Sequence, residues 1–327
     1  MHTVSRSYFT TLAQALIRAG AVVDPHDPIL AESGRHIRLV RVYQWLEEVV
    51  QRSGDADIGV RVHAHAHPAM LGQLGYAVMS CATLGDALER LVSLHPLTTN
   101  GSILRLEQSA DEMRLIGFEV GPCAPRVFID AGAAMTLGLL QWLTPACRFV
   151  PLEVELAYPE PADTTVLREL FGERLVFGRS YNSLRLSAEV CRLPLPTASP
   201  TLDRLHGEYA AARLEERIEG STTARVRRAL TEQLTMGQPT ALEYLSERLR
   251  LSRRSLQNAL EREGVSYSAL LDEARLTQAH SLLHDSARSI KYIGATLGFR
   301  DPSSFHKACL RWFGVPPGEY RKLREAT

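Results

Sequence analysis

Ser289 to Arg321 reads SIKYIGATLGFRDPSSFHKACLRWFGVPPGEYR, which predicts two short helices joined by a tight turn. The first helix covers Ile290–Leu297, because apolar residues recur there at helical spacing and Gly298 can supply a left-handed end. Asp301 followed by Pro302 predicts the start of the second helix, since the carboxylate caps free N–H groups and proline suits the first helical position. This stretch is the most strongly specified local structure in the chain.

The second predicted helix carries two different faces. It runs to about Phe313 and ends at Gly314. Its inner stripe is apolar and consists of Phe305, Ala308 or Cys309, and Trp312. Its outer face is small, polar or basic and consists of Ser303, Ser304, His306, Lys307 and Arg311. Such a face suits the major groove of DNA, where hydroxyls and cations meet base edges and phosphates.

The same stretch resembles the second helix-turn-helix of the AraC/XylS family of bacterial transcription regulators. The matching positions follow the family's order: Gly298-Phe299, Ser303-Ser304-Phe305, Lys307, Phe313-Gly314, Pro316 or Pro317, and Tyr320-Arg321. Three positions depart from the family's usual residues. Lys307 stands where arginine is usual, Gly294 where alanine is usual, and Cys309 where an aromatic residue is usual. The first departure bears on base preference and the other two on packing.

Composition supports a chain of two domains. It has 327 residues, of which 45% are hydrophobic, so each domain can bury a core. The net charge is zero, but residues 222–327 contain 17 Lys and Arg against 11 Asp and Glu, which leaves residues 1–221 with 20 against 26. A basic C-terminal third behind an acidic body is typical of a nucleic-acid-binding module attached to another domain.

The cysteines and the apolar runs indicate a cytoplasmic protein. Five cysteines are scattered without a Cys-x-x-Cys pair, which favours reduced thiols. The N-terminus lacks the pattern of a signal peptide, and the most apolar stretch, Ala131–Leu140, is too short to cross a bilayer. We therefore expect no membrane partner, no metal and no cofactor.

Residues 1–195 predict an α+β domain. The helical patterns cover Tyr8–Gly20, Leu39–Val50, Leu84–Leu94, Arg126–Leu143 and Thr164–Phe171. The alternating patterns predict a hairpin over Ser102–Glu119 and strands at Phe149–Ala157, Leu175–Phe177 and Leu184–Leu186, the last two joined around Gly178–Asn182. The small residues of the long helix Arg126–Leu143 would permit close packing against a neighbouring element.

From about residue 20 to 195 this order also resembles the arabinose-binding-type domain of AraC regulators of the ornithine and virulence type. The landmarks are Leu71–Tyr76, Thr83-Leu84, Ala87-Leu88, Phe171-Gly172, Phe177-Gly178 and Asn182. The resemblance implies a domain that binds an effector, dimerises, or both. It does not name the effector, and no effector-binding residue is predicted.

Three histidines alternate along the segment Ile58–Pro68, at His63, His65 and His67. On a strand all three would share one face, and on a helix only the first and the last would. No carboxylate or cysteine at matching spacing completes a metal site. A structural or surface role and a contact with an effector or metal both stay open.

The proline-rich segment Leu193–Pro200 predicts the domain boundary. It divides the chain into an effector or dimerisation domain (1–195), a linker with a connecting helix (196–221) and an all-α DNA-binding domain (222–327). Within the last, Ser252 caps the helix RRSLQNALERE, which ends at Gly264 and completes another helix-turn-helix. A continuous helix over Ser266–His284, about 28 Å long at 1.5 Å per residue, would act as a rigid spacer between the two units.

The family pattern assigns roles to the outward residues of both units. Its base-facing positions fall on Arg254, Gln257 and Asn258 in the first unit and on Ser303, Ser304 and Lys307 in the second. The residues expected to contact phosphate or to position the helices are Ser252, Arg253, His306 and Arg311. For the two arginines, base contact and a solvated surface role stay open as alternatives.

The sequence as a whole predicts a transcription regulator that binds double-stranded promoter DNA. The resemblance implies activation through RNA polymerase, control by a small-molecule effector, and a possible homodimer. One alternative is an effector-free regulator controlled by oligomerisation or a protein partner. Another is an enzyme domain fused to a DNA-binding module, but no nucleophile elbow, phosphate-binding loop or dinucleotide fingerprint is present and no catalytic residue is predicted.

Overall fold

The computed structural model describes residues 2–325, which pack into two units. One unit comprises residues 2–214, and the other begins at Glu215, inside the helix Pro200–Glu219. The proline-rich segment ahead of that helix packs on the first unit: Leu195 is buried, and its N–H donates to the Ala82 carbonyl at 3.0 Å. The division of the chain at residues 195 and 222 stays a prediction.

The first unit contains ten α-helices and seven strands among its described residues. The helices are α1 (Arg6–Arg18), α2 (Pro28–Ala31), α3 (Leu39–Ser53), α4 (Ile58–Arg61), α5 (Gln73–Met79), α6 (Leu84–Leu94), α7 (Arg126–Leu143), α8 (Thr165–Phe171), α9 (Ala188–Cys191) and α10 (Pro200–Glu219). The strands are β1 (Thr3–Ser5), β2 (His36–Arg38), β3 (Ser102–Gln108), β4 (Glu112–Glu119), β5 (Glu153–Glu155), β6 (Leu175–Val176) and β7 (Asn182–Ser187). The predicted α+β class is confirmed.

A five-stranded sheet in the order β3-β4-β7-β5-β6 forms the centre of this unit. The predicted hairpin is present, with Ser102 opposite Glu119 and Gln108 opposite Met113. All neighbours run antiparallel except β5 and β6, which are parallel and joined through α8. Residues of α1, α3, α6, α7 and the sheet share one hydrophobic core.

One strand prediction was wrong in its extent. The strand predicted over Phe149–Ala157 is formed only by β5, while Val150 and Leu152 are 62% and 39% exposed. Pro151 lies between them and has no N–H to donate to a ladder, so regular pairing starts after it. The segment Gly178–Asn182 connects β6 to β7 as predicted, and in the sheet β5 lies between these two strands.

Two long helices have the predicted bounds. Thr83 and Asp86 form a capping box at the start of α6, with the Asp86 N–H donating to Thr83 Oγ1 at 3.2 Å and the Thr83 N–H donating to Asp86 Oδ2 at 3.0 Å. In α7 a side chain at Gly138 would begin 2.6 Å from Ala66 Cβ and 2.7 Å from the His63 carbonyl oxygen. The small residue therefore permits the close packing that the sequence predicted.

The histidine segment is helical, since residues Val62–His65 form a 3-10 turn. His63 Nε2 lies 2.8 Å from Gln141 Oε1, and the His67 ring packs edge-on against Trp142 with centroids 4.7 Å apart. Both contacts hold the segment on α7. No group of three possible metal ligands occurs within residues 2–325 as described.

The second unit is helical throughout. Its helices are α11 (Thr222–Thr235), α12 (Leu242–Arg248), α13 (Arg253–Arg262), α14 (Tyr267–Asp285), α15 (Ile290–Thr296), α16 (Pro302–Phe313) and α17 (Pro317–Glu325). The predicted left-handed ends occur at Gly298 and Gly314, with φ of +75° and +73°. Across the described part of the chain, no helix combines the length and the apolar character that a bilayer crossing demands.

Candidate nucleic-acid interface and internal cavity

The helix pairs α12–α13 and α15–α16 repeat one arrangement. Ser252 caps α13 by accepting the Ser255 N–H at 3.1 Å, and Asp301 caps α16 by accepting the Ser304 N–H at 2.8 Å. Aligning the two helices on these caps superposes equivalent outward positions: Arg254 with Ser303, Gln257 with His306, and Asn258 with Lys307. The repeat therefore presents the same three positions twice.

The first of these faces belongs to α13. Leu256 and Leu260 are buried beneath it, while Arg254, Gln257 and Asn258 are exposed. No hydrogen bond or ion pair joins these three side chains to another residue that the structure describes. Their donors and acceptors are free to meet a ligand.

The second face belongs to α16. Phe305, Ala308, Cys309, Trp312 and Phe313 form its buried side. The side chains of His306 and Lys307 are exposed and form no hydrogen bond or ion pair with the rest of the described chain. Ser304 differs, because its hydroxyl donates to Asp301 Oδ2 at 2.7 Å and so reinforces the cap. The hydrogen bonds from Ser304 lower the pKa of Asp301, which keeps the cap ionised.

Gly294 and Cys309, which depart from the family pattern, lie in the helix pair α15–α16. A Cβ at Gly294 would begin 3.1 Å from Phe305 Cδ1, so the glycine lets the ring approach α15 closely. Cys309 is buried, and burial raises the pKa of its thiol to about 12. The thiol is therefore neutral and contributes packing, as expected from the sequence.

Each predicted positioning arginine is paired with an acidic residue of a neighbouring helix. Arg253 at the start of α13 forms an ion pair with Glu243 of α12. Arg311 near the end of α16 forms an ion pair with Asp272 of α14. The arginine side chains are 56% and 60% exposed, so each can reach solvent while it is paired.

The helix α14 joins α11 to the second helix pair, α15–α16. Glu273 pairs with Arg227 of α11 at 2.7 Å, and Asp272 accepts the indole N–H of Trp312 at 3.0 Å. Arg275 donates to the Leu297 and Gly298 carbonyls at the end of α15, both at 2.8 Å. The prediction of one continuous spacer helix is confirmed. Its polar contacts were missed, although acidic and basic residues three apart on a largely apolar helix could have indicated them.

The first unit contains a partly open cavity of about 170 Å³ between the sheet and the helices α1, α6 and α7. Most of its lining is apolar, and the lining residues come from points as distant as Val4 and Leu184. Glu119 of β4 and Glu155 of β5 are the acidic residues among them. No sequence pattern could have grouped these positions, because the fold alone brings them together.

Two family models match the chain, one in each unit. Residues 12–195 match the model described as the arabinose-binding domain of AraC transcription regulators. Residues 245–323 match a helix-turn-helix domain. The first match alone spans more than half of the chain, and the second contains both α13 and α16.

Named proteins resemble this chain over most of its length. The ornithine utilization regulator of Pseudomonas aeruginosa is 30% identical over 269 residues, which cover 81% of this chain and 77% of that protein. A helix-turn-helix transcriptional regulator of Mycobacterium tuberculosis is 30% identical over 280 residues, covering 82% and 79%. Among solved structures, the transcriptional regulator CdpR from Pseudomonas aeruginosa aligns over 97% of this chain and 98% of its own, with a TM-score of 0.47 and 18% identity.

Proposed function

The chain belongs to the AraC family of transcription regulators, and we propose that it activates promoters by placing both recognition helices in the major groove in response to a small molecule. The observation that carries this proposal is the repeated pair of capped helices, α13 and α16. Each presents exposed polar side chains above a buried apolar side. Trp312 of α16 bonds directly to Asp272 of α14. Glu263 at the end of α13 instead accepts the Thr222 N–H of α11, the helix that pairs with α14. RNA polymerase is the proposed partner of the DNA-bound form, and a homodimer is its proposed assembly.

We assign base reading to three residues of each recognition helix. In α13 these are Arg254, Gln257 and Asn258, since arginine suits guanine and the amides suit adenine. In α16 they are Ser303, Ser304 and Lys307. The alignment of caps adds a reason to test His306, because it occupies the position of Gln257 in the other helix.

Contacts with phosphate are assigned to Ser252, Arg253, His306 and Arg311. The two arginines would exchange a carboxylate of their own chain for a phosphate on binding. Because a paired arginine must first lose its partner, each contributes less affinity than an unpaired cation in the same place would. Lys307 has no such partner and can contact a base or phosphate directly.

The cavity of the first unit is the proposed effector site. It is formed by elements of one domain, and a mostly apolar cavity with a few polar groups is the usual form of a small-molecule site. An effector there would stabilise the unit that binds it, since any ligand of the folded state does so. We propose no catalysis by this domain.

The test of DNA binding uses the full chain. Binding sites are selected from a random duplex pool, and dissociation constants are then measured for the parent, Gln257→Ala and Lys307→Ala on the selected site and on single-base variants. Each substitution is expected to weaken the selected site by about 5- to 150-fold and to relax preference at one position. Lys322→Ala, which removes an exposed lysine of α17, is the control and should leave base preference unchanged.

Activation is tested separately, by transcription with RNA polymerase from a promoter carrying the selected site. More transcript in the presence of the protein supports activation, and less transcript would indicate a repressor. If Gln257→Ala and Lys307→Ala bind every duplex as the parent does, the base-reading assignment is wrong.

A further inference from the structure

One carboxyl group in the cavity of the first unit has no partner. Leu115, Gly117 and Glu119 alternate along β4 and so share the strand face that lines the cavity. Oε2 of Glu119 is buried, and no hydrogen bond or ion pair joins this carboxyl to any residue that the structure describes. Buried polar groups are normally paired, because an unpaired one loses hydration without compensation. A ligand from outside the chain would therefore supply the partner that the Glu119 carboxyl lacks.

The other acid of the cavity is fully compensated by its own chain. Glu155 forms ion pairs with Arg114 and with Arg179, whose Nε lies 3.0 Å from Oε1, and it accepts the Ser183 hydroxyl at 2.6 Å. Burial opposes its ionisation, but Arg114 and these further contacts lower the pKa of Glu155. Glu119 experiences burial alone, which raises its pKa to about 7.

The remaining lining offers Glu119 no cation. Neither lysine nor arginine occurs among the described residues that line the cavity. The other titratable groups there are the imidazoles of His67 and His95 and the phenol of Tyr8. Burial first, and then the Glu119 carboxyl, raise the pKa of Tyr8 to about 12, so its hydroxyl is neutral. An anionic ligand group would meet no permanent positive charge.

The size of the cavity limits the ligand. Its volume of about 170 Å³ is close to the roughly 150 Å³ of an engineered apolar cavity that binds benzene. It is smaller than the roughly 300–1,000 Å³ of sites for drug-sized ligands. A ligand that fills it has an apolar body about the size of one ring and a short polar group.

We propose that this cavity binds a small organic amine, whose ammonium group pairs with the Glu119 carboxylate while a ring-sized apolar body fills the remaining space. This inference rests on the proposed role of the first unit as an effector domain. It excludes free amino acids, because their carboxylate would lie in an apolar site without a cation. It also predicts that a charged amine binds more tightly than a neutral alcohol of the same shape.

Three probes with the same body separate these cases: 2-phenylethylamine, 2-phenylethanol and L-phenylalanine. Their binding to the full chain is measured by calorimetry at pH 8, for the parent and for Glu119→Gln. Glu47→Gln, which neutralises an exposed acid of α3, is the matched control. We expect the amine to bind the parent and the control at least tenfold more tightly than the alcohol. Glu119→Gln should lose this preference while it keeps its affinity for the alcohol.

Other outcomes overturn the inference. Equal binding of amine and alcohol, unchanged amine binding by Glu119→Gln, preferred binding of phenylalanine, or no binding of the amine at millimolar concentration would each contradict it. The DNA measurements are independent of these results. A chain that binds its selected duplex but no amine would keep the proposed DNA-binding function and lose this inference. A chain that binds the amine through Glu119 but no duplex would do the reverse.

Discussion

Replacing Glu119 with glutamine should stabilise the ligand-free first unit in a way that depends on pH. Glutamine keeps the shape of the protonated side chain but cannot ionise inside the cavity. Burial raises the pKa of Glu119 from 4.5 to about 7, so the unfolded chain gives up this proton more readily than the folded chain does. Between these two values the folded state binds more protons than the unfolded state. The free energy of unfolding of the parent therefore falls as pH rises.

The size of the stability difference follows from the shift in the pKa of Glu119. A difference of about 2.5 in pKa corresponds to about 3 kcal/mol when both states are ionised, near pH 8. At pH 5 the same relation gives a loss of stability of about 1 kcal/mol. At pH 4 the loss is almost zero, because the carboxyl is then protonated in both the folded and the unfolded state. Glu119→Gln should thus match the parent at pH 4 and exceed its stability by about 3 kcal/mol at pH 8.

The measurement must report on the first unit alone, since a chain of two units need not unfold in one step. The chain has three tryptophans, of which Trp45 and Trp142 lie in the first unit and Trp312 in the second. Urea unfolding followed by fluorescence in a Trp312→Phe background isolates the first two. The glutamine variant and its Glu119 parent are compared in this background at several pH values.

Two results would refute this reasoning. If the difference in stability between Glu119→Gln and its parent stays constant from pH 4 to pH 8, the carboxyl is not the titrating group. If the variant is less stable at pH 8, the carboxylate has a compensating partner and the cavity does not lack a cation. Either result would also remove the basis for amine binding at this position.

Three further predictions concern the cavity, the core and the DNA interface. Affinity for 2-phenylethylamine should rise about tenfold between pH 6 and pH 8 and then level off, because ionisation of Glu119 around pH 7 creates the charge that binds the amine; calorimetry across this range measures it. Gly138→Ala should lower the stability of the first unit by about 1–3 kcal/mol in urea unfolding, since the added Cβ would begin 2.6 Å from Ala66 Cβ. Arg311→Ala should weaken binding to all duplexes alike and reduce the salt dependence of binding by about one phosphate contact. Asp272→Asn, which removes the carboxylate partner of this arginine, should strengthen binding to all duplexes.

Sequence alone predicted the boundaries of α13, α14, α15 and α16 closely, because the signals that set them are local. Ser252 and Asp301 cap helices through N–H groups only three residues ahead, and Gly298 and Gly314 take left-handed conformations that follow from their own backbone freedom. The outward faces of α13 and α16 were predicted for the same reason. Once the start of a helix is known, its period assigns every later side chain to a face.

The pairing of strands that are distant in sequence was harder to predict from the sequence. The alternation of Ser102–Glu119 predicted a hairpin correctly, since a short turn forces its two strands together. Nothing local indicated that β5 would lie between β6 and β7, because that order depends on the crossover through α8. The ion pairs of Arg253 and Arg311 were missed on the same grounds, as their carboxylate partners lie on other helices.

Glu119 combines a strand position that the sequence predicts with a burial that only the fold creates, and this explains its potential as a ligand contact. Its strand and its face follow from the alternation of the hairpin, which marks it as an ordinary polar position at the end of β4. The burial of its Oε2 depends on elements distant in sequence that line the cavity beside this strand end. A carboxylate so placed destabilises the empty unit at neutral pH, and a cation that enters removes this cost. Occupancy by an amine therefore couples to the stability of the first unit, which is the property that an effector domain uses to transmit binding.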